Sequence, residues 1–213
     1  MSIILHDYWR SSSAYRIRIA LNLLGLGYDS IPVDLTKGAQ TGAYNLAQNR
    51  QGLVPTLAID GQTLTQSLAI LEYLNEVHAA GFLPVDPIGR ARVRALAYAV
   101  AMDIQPVCNL RVVTYVTKSF GGSISTETWM RQWITIGFHG VEAMLDHPVT
   151  GPYCHGDTVT IADLCLMPQI YNAQRWGVDL TQFPRISEIG EALASWPAVA
   201  AAHPDRVRPV VPQ

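Results

Sequence analysis

Residues 2–25 of this chain read SIILHDYWRSSSAYRIRIALNLLG, and this stretch decides the fold of the first part of the molecule. The apolar run Ser2–Asp7 is typical of a short strand, while apolar side chains at positions 17, 20, 21 and 24 recur with the spacing of one helical face. Gly25 and Gly27 end that helix. The stretch therefore predicts a strand, a polar loop and a helix from Ser12 to Leu24 that begins within three consecutive serines.

The alternation of strand and helix continues to residue 78. A second strand-like run is followed by a polar segment, a strand entered through a proline, a hairpin turn at Asp60-Gly61, a return strand and a helix. In order, these segments are Tyr28–Leu35, Thr41–Asn49, Val54–Ile59, Gln62–Thr65 and Gln66–His78. The order βαβ followed by αββα predicts a small α/β domain over residues 1–79.

The pattern changes after residue 79. Residues 80–87 contain two prolines and a glycine, which is typical of a linker. Helical segments follow, and they are Ile88 to about Lys118 with a kink at Pro106, Glu127–Leu145, a helix from the capping box Thr160–Asp163 to about Trp176, and Pro184–Ser195. We therefore expect an all-helical domain over residues 88–213, with a loosely held proline-rich tail from Arg206 to Gln213.

The composition argues against several classes of protein. The chain has 213 residues, of which 49% are hydrophobic and 15% charged, and its net charge of -2 gives no reason to expect nucleic acid as a partner. Without an apolar run of about 18 residues, no membrane span is expected. Three cysteines without paired spacing, and no secretory signal, predict a reducing, cytoplasmic environment. Cys154-His155 and His147 fit no common zinc spacing, so no metal is expected.

Three polar features of the first domain could hold an anionic ligand. Ser11–Ser13 follow Arg10 at a helix start, Gln66-Ser67 open the next helix, and helix starts carry unpaired amides and partial positive charge. Pro55 lacks an amide hydrogen, so the backbone beside it can be left to pair with an extended ligand. The simpler alternatives are that the serines are helix caps and that Pro55 only begins a strand.

These motifs resemble a known family. SSSAYRIRIAL resembles the SSCxWRVRIAL signature of zeta-class glutathione transferases, the family of maleylacetoacetate isomerases. The resemblance covers nearly the whole chain and includes, in order, VPTLAIDG, QSLAILEYL, DIQPVCNLR, GDTVTIADLCLMPQ and NAQRWGVDLTQFP. It implies the glutathione transferase fold, in which an N-terminal thioredoxin-like α/β domain is followed by a C-terminal all-α helical bundle. It also implies a cytoplasmic homodimer.

The resemblance assigns glutathione as cofactor and gives roles to individual residues. Ser11 is implied to face the glutathione sulfur, Val54 to pair with the cysteinyl unit beside a cis Pro55, and Gln66 with Ser67 to hold the γ-glutamyl end. The full set implied to bind glutathione is Ser11, Ser12, Ser13, Val54, Pro55, Gln66, Ser67, Gln105 and Asn109. The residues expected in catalysis are Ser11 and Ser12 together with Arg10, Arg111 and Arg175, whose guanidinium groups would grip a dicarboxylate substrate.

The chain departs from the family pattern at several positions. Ser13 replaces the usual cysteine and Tyr15 the usual tryptophan, while Asn49-Arg50 and Leu53 replace residues common before the proline-initiated strand. The expected activity is the glutathione-dependent isomerisation of maleylacetoacetate. Arg111 favours maleylpyruvate as an alternative substrate, and conjugation or dehalogenation of small α-halo acids, or a binding module without turnover, are further alternatives.

Overall fold

A computed structural model describes residues 2–209 of the protein. Its contacts divide the chain into two units, the first containing the chain up to Ala80 and again from Ala194, and the second running over Gly81–Leu193. None of the described helices is long and apolar enough to cross a membrane. The change of composition near residue 80 therefore coincides with a change of unit, whereas the C-terminal segment returns to the first.

The first unit is built on a four-stranded sheet with the order β2-β1-β3-β4. The strands are β1 Ile3–Asp7, β2 Tyr28–Pro32, β3 Thr56–Ile59 and β4 Gln62–Thr65. β1 pairs in parallel with β2, which requires a crossover through a helix, and antiparallel with β3. β3 and β4 form a hairpin at Asp60-Gly61, where both residues have positive φ. This is the α/β domain that the alternation predicted, although β2 ends three residues early and β3 begins after Pro55.

Three helices accompany the sheet, and they are α1 Ser12–Leu23, α2 Ala43–Gln48 and α3 Ser67–Val77. α1 and α3 pack against each other, and the core between sheet and helices contains fully buried apolar side chains such as Leu5, Leu21, Leu57 and Ile70. α1 also buries two arginines, Arg16 and Arg18, at 1% and 0% exposure. Because a charged side chain is costly to bury, these two residues have to find polar partners within the unit.

The C-terminal segment packs on α1 through the short helix α10 Pro197–Ala201, and a further short helix, α11 Pro204–Val207, packs on α10. The Nε of Arg18 donates to the Ala202 carbonyl at 3.1 Å, and the Asn22 side-chain amide donates to Ala198 at 3.0 Å. The sequence placed this segment in the helical domain, but these bonds tie it to the first unit. Part of the expected loose tail is thus helical, and the expectation for residues 210–213 lies outside the described residues.

The second unit is helical throughout its described elements, as predicted. Its helices are α4 Pro87–Tyr98, α5 Gln105–Val107, α6 Leu110–Ser119, α7 Thr126–Leu145, α8 Ile161–Arg175 and α9 Pro184–Ala194. α8 begins with the predicted capping box, in which the Asp163 carboxylate accepts from the Thr160 amide at 2.8 Å. The same carboxylate accepts from the Cys154 amide at 2.8 Å and is fully buried, so it fixes the preceding loop to the helix start.

The long helix expected from Ile88 to Lys118 is wrong as a single helix, because the helical run from α4 through α5 ends at Val107. A π-helical stretch over Ala99–Ile104 follows α4, and α6 begins only at Leu110. Pro106 has no amide to return to the preceding turn, and the Asn109 side chain caps the new helix by accepting from the Arg111 amide at 3.1 Å. The predicted kink is thus a π-helical turn followed by a complete helix restart.

Candidate active site

Three segments of the first unit meet at one edge of its sheet. β1 ends at Asp7 and leads to Ser11, while β3 begins directly after Val54-Pro55. His6 of β1 is paired with Thr56 of β3, and Thr56 is paired with Thr65, the last residue of β4. The serine cluster, the proline and the start of α3 therefore lie side by side. The topology brings together every predicted site residue of the first unit.

Ser11 is the N-cap of α1. Its hydroxyl oxygen accepts from the Ala14 amide at 3.2 Å, and its backbone is extended with φ -69° and ψ 119°. Capping uses one lone pair of the hydroxyl and leaves its hydrogen available as a donor. The cap and the predicted ligand contact are therefore compatible, since one group can accept from the helix and donate to a ligand.

Ser12 and Ser13 open the first turn of α1. Both are half-buried, and among the described residues neither backbone amide donates to another backbone group, as expected for the first turn of a helix. Together with the Ser11 hydroxyl they supply donors at the positive end of the helix dipole. This end of α1 suits a small anion such as a thiolate.

The Val54–Pro55 peptide bond is cis, as the resemblance implied. Pro55 is buried and Val54 half-buried, and the backbone of Val54 makes no backbone hydrogen bond within the described part of the chain. The Asn49 side chain supports the preceding turn by donating to the Leu53 carbonyl at 3.1 Å. The Val54 backbone is consequently available to an extended peptide-like ligand.

At the start of α3, Gln66 is the N-cap in an unusual conformation. Its φ of 68° is positive, which is uncommon for a residue other than glycine, and its side-chain amide donates to Gln51 Oε1 at 2.9 Å. Ser67 is the first helical residue, so it is not the cap that the simpler alternative assumed. Its buried hydroxyl accepts from Arg16 Nη1 at 3.0 Å instead.

Arg10 lies in the loop between β1 and Ser11. Its Nη2 donates to the Tyr8 hydroxyl at 2.9 Å, and its guanidinium carbon lies 4.7 Å from the centre of the Trp9 ring. Within residues 2–209 it forms no ion pair with an acidic side chain. A half-buried arginine held by aromatic partners can still bind a carboxylate of a ligand.

The other predicted residues belong to the second unit. Gln105 begins α5, and Asn109 caps α6 as described above. Arg111 is exposed two residues further on, and Arg175, also exposed, ends α8 with its guanidinium carbon 4.4 Å from the Trp176 ring. The roles of these four residues stay predictions.

Sequence reasoning gave no site role to Tyr8, Gln51 or Arg16. Tyr8 holds Arg10, Gln51 holds Gln66, and Arg16 holds Ser67. Arg16 did carry a signal, because it directly precedes the apolar run that contains Ile17, Ile19 and Leu21 and is buried when the helix packs. Ser67, which accepts the hydrogen bond from Arg16, lies 51 positions away and carries no such signal.

This architecture defines the class of the protein. Residues 10–77 match the family model for the glutathione S-transferase N-terminal domain. A maleylacetoacetate isomerase of Rhizobium meliloti is 56% identical over 208 residues, which cover 97% of this chain and 98% of the relative. The chain therefore belongs to the zeta-class glutathione transferase family, which includes maleylacetoacetate and maleylpyruvate isomerases.

Two solved structures agree with this assignment. A holo structure of a maleylpyruvate isomerase, described as a bacterial zeta-class glutathione S-transferase, superposes with a TM-score of 0.92 at 41% identity, covering 96% of this chain and 98% of that one. A maleylacetoacetate isomerase from Methylobacterium extorquens AM1, with bound malonate and glutathione, superposes with a TM-score of 0.91 at 39% identity, covering 99% of this chain and 100% of that one.

Proposed function

We propose that this chain is a glutathione-dependent cis–trans isomerase that converts maleylacetoacetate to fumarylacetoacetate in the breakdown of aromatic amino acids and aromatic acids. The observation that carries the proposal is the row of available polar groups along one edge of the first unit's sheet. That row contains the α1 start, the Val54 backbone and the α3 start. The similarity to the Rhizobium meliloti isomerase supports the choice of reaction.

The chemistry of these groups fits glutathione from end to end. The Ser11 hydroxyl with the Ser12 and Ser13 amides suits a thiolate, and the Val54 backbone suits the central peptide unit. Gln66 and Ser67 at the α3 start suit the carboxylate of the γ-glutamyl end. In the second unit, Gln105 and Asn109 would complete the binding of the cofactor.

When bound, glutathione supplies a thiolate that adds to the cis double bond beside a carbonyl and leaves again after rotation, so it is not consumed. A free thiol has a pKa near 8.5, and only a few per cent of it is ionised at neutral pH. The Ser11 hydroxyl and the N-terminus of α1 would stabilise the charged form and would lower the thiol pKa by about one to two units. Arg10, Arg111 and Arg175 would hold the substrate carboxylates while the carbon chain turns.

Maleylpyruvate is the second candidate substrate. The specific observation that favours it is Arg111, which is exposed and makes no side-chain hydrogen bond or ion pair in the described part of the chain. Such a guanidinium can bind the carboxylate of a short dicarboxylate in a fork. Arg10 would then bind the second carboxylate.

A spectrophotometric assay tests the proposal. Maleylacetone and maleylpyruvate are each mixed with the protein, with and without glutathione, and loss of the cis enone is followed. We expect decay with at least one substrate that needs glutathione, and absence of such decay with both would refute the isomerase. If maleylpyruvate is the substrate, Arg111→Ala should slow its isomerisation more than that of maleylacetone, whereas Lys118→Ala, which removes an exposed cation of the same helix α6, should affect neither.

We also propose that the protein acts in the cytoplasm as a homodimer. Three free, buried cysteines support a reducing compartment, and the family resemblance supports the dimer. Sedimentation velocity of the purified protein measures the assembly directly. A single species with the mass of one chain across the accessible concentration range would contradict the dimer.

A further inference from the structure

Arg16 is a buried cation that lacks an anionic partner. Its side chain is 1% exposed, and no acidic residue of the described chain forms an ion pair with it. Within residues 2–209, its Nε and Nη2 have no hydrogen-bond partner. A buried guanidinium in this state destabilises the folded protein, because its lost hydration is not replaced.

The neighbouring Arg18 shows how the same unit treats a buried arginine whose role is structural. Its guanidinium binds both oxygens of the Asp7 carboxylate at 2.7 and 2.8 Å and donates to the Trp9 and Ala202 carbonyls. Every nitrogen of Arg18 therefore has a partner. The two arginines lie on the same helix and are both buried, at 1% and 0% exposure, so the incomplete set of partners at Arg16 is specific to its position.

The one bond that Arg16 makes leads to the cofactor site. Its Nη1 donates to the hydroxyl oxygen of Ser67, the first residue of α3, at 3.0 Å. This bond occupies a lone pair of Ser67 and leaves the hydroxyl hydrogen free to donate to a ligand. It also directs a positive charge towards a helix start whose amides already favour an anion.

We infer that Arg16 is a positioning residue for the anionic γ-glutamyl end of glutathione. It orients the Ser67 hydroxyl towards this end, and its buried positive charge balances the γ-glutamyl carboxylate. The inference rests on the proposed function, because it assumes that glutathione binds along this edge. α1 then serves both ends of the cofactor, with Ser11 at the sulfur and Arg16 behind the carboxylate. The destabilising charge is retained because the bound anion compensates it.

The test measures binding and stability separately from turnover. Glutathione affinity is determined by calorimetry for the wild-type protein, Arg16→Met, Arg16→Lys and Ser67→Ala, and cysteinylglycine, which lacks the γ-glutamyl group, is the matched ligand. We expect Arg16→Met and Ser67→Ala to weaken glutathione binding about ten- to hundredfold, as for a lost hydrogen bond to a charged group, and to leave cysteinylglycine unchanged. Arg16→Lys, which keeps the charge, should recover most of the loss.

Thermal unfolding of the ligand-free proteins distinguishes this role from a purely structural role of Arg16, for which Arg16→Met would lower the unfolding temperature. Because methionine removes an uncompensated charge, Arg16→Met should unfold at the same temperature as the wild type or higher. A lower unfolding temperature together with equal losses for both ligands would overturn the inference, as would unchanged glutathione affinity in Arg16→Met. If Arg16→Met does not fold, the glutathione affinity of Arg16→Lys tests the inference instead. An affinity as low as that of Ser67→Ala would then overturn the inference. Failure of the wild type to bind glutathione would instead refute the proposed function.

Discussion

The Ser11 hydroxyl caps α1 and still has a donor for the chemical role proposed for it. Its oxygen accepts from the Ala14 amide and so caps α1, and its hydrogen remains available to a ligand at the positive end of the helix. A hydroxyl can do both because it has one donor and two acceptor positions. The sequence left open whether Ser11 is a helix cap or a ligand contact. The two roles use different positions of the hydroxyl and therefore do not exclude each other.

This double role predicts the effect of Ser11→Ala on the cofactor. With one donor to the thiolate removed, the pKa of bound glutathione should rise by about one unit, and the loss of the cap should cost about 1 kcal/mol of stability. The measurement is a pH titration of thiolate absorbance in the complex. Ser13→Ala is the matched control, because Ser13 lies in the same turn but does not cap α1, and it should leave the pKa closer to the wild type. An identical profile for Ser11→Ala and wild type would remove Ser11 from its role.

The three cysteines predict a second measurement. Cys108, Cys154 and Cys165 are all buried, and burial raises the pKa of Cys108 to about 12 and that of Cys154 well above its ordinary value. Ser13 stands where the family has a cysteine, so no described thiol lies at the α1 start. With a disulfide reagent at pH 8, the native protein should therefore react slowly and the denatured protein at all three thiols. One fast-reacting thiol in the native protein would contradict this burial.

The sequence predicted where helices occur better than it predicted where a helix is interrupted. α1, α3 and α7 follow from apolar periodicity and caps, which are local signals. The π-helical stretch before Pro106 and the restart at Asn109 do not follow, because a proline allows a kink, a π turn or a break, and packing selects among them. Close packing at this point is visible at Gly137 of α7, where a Cβ would collide with the Ile104 side chain.

Two glycines of α7 provide a matched test of this packing. Gly140→Ala should stabilise the protein by about 0.5–1 kcal/mol, because nothing lies near its added methyl group and alanine favours helix. Gly137→Ala should instead destabilise it by about 1–3 kcal/mol, since the buried Ile104 would have to move. Chemical denaturation of both variants gives the free energies of unfolding. Equal stabilisation by both would show that Ile104 yields without cost.

For the molecule as a whole, the first unit is completed by the end of the chain. Arg18 Nε and the Ala202 carbonyl are 184 residues apart, and no periodicity or motif connects them. The strands and the serine cluster could be predicted from local periodicity and turn residues, whereas the glutathione-binding roles were implied by the family resemblance. The docking of the C-terminal segment could not be predicted from the sequence. It depends on donors of α1, such as Arg18 Nε, that have no local acceptor and bond to this distant segment.

A truncation tests whether the C-terminal segment is part of the first unit. A chain that ends at Leu193 leaves Arg18 Nε and the Asn22 amide without their acceptors and uncovers the face of α1 on which the buried Val199 packs. We expect a loss of about 3 kcal/mol or more, which corresponds to a fall in Tm of about 10 °C for a chain of this size. The control chain ends at Pro209 and keeps all these contacts. Equal melting temperatures for the two chains would mean that the segment only covers the surface of α1, whereas the expected difference would show that α1 depends on the distant end of the chain.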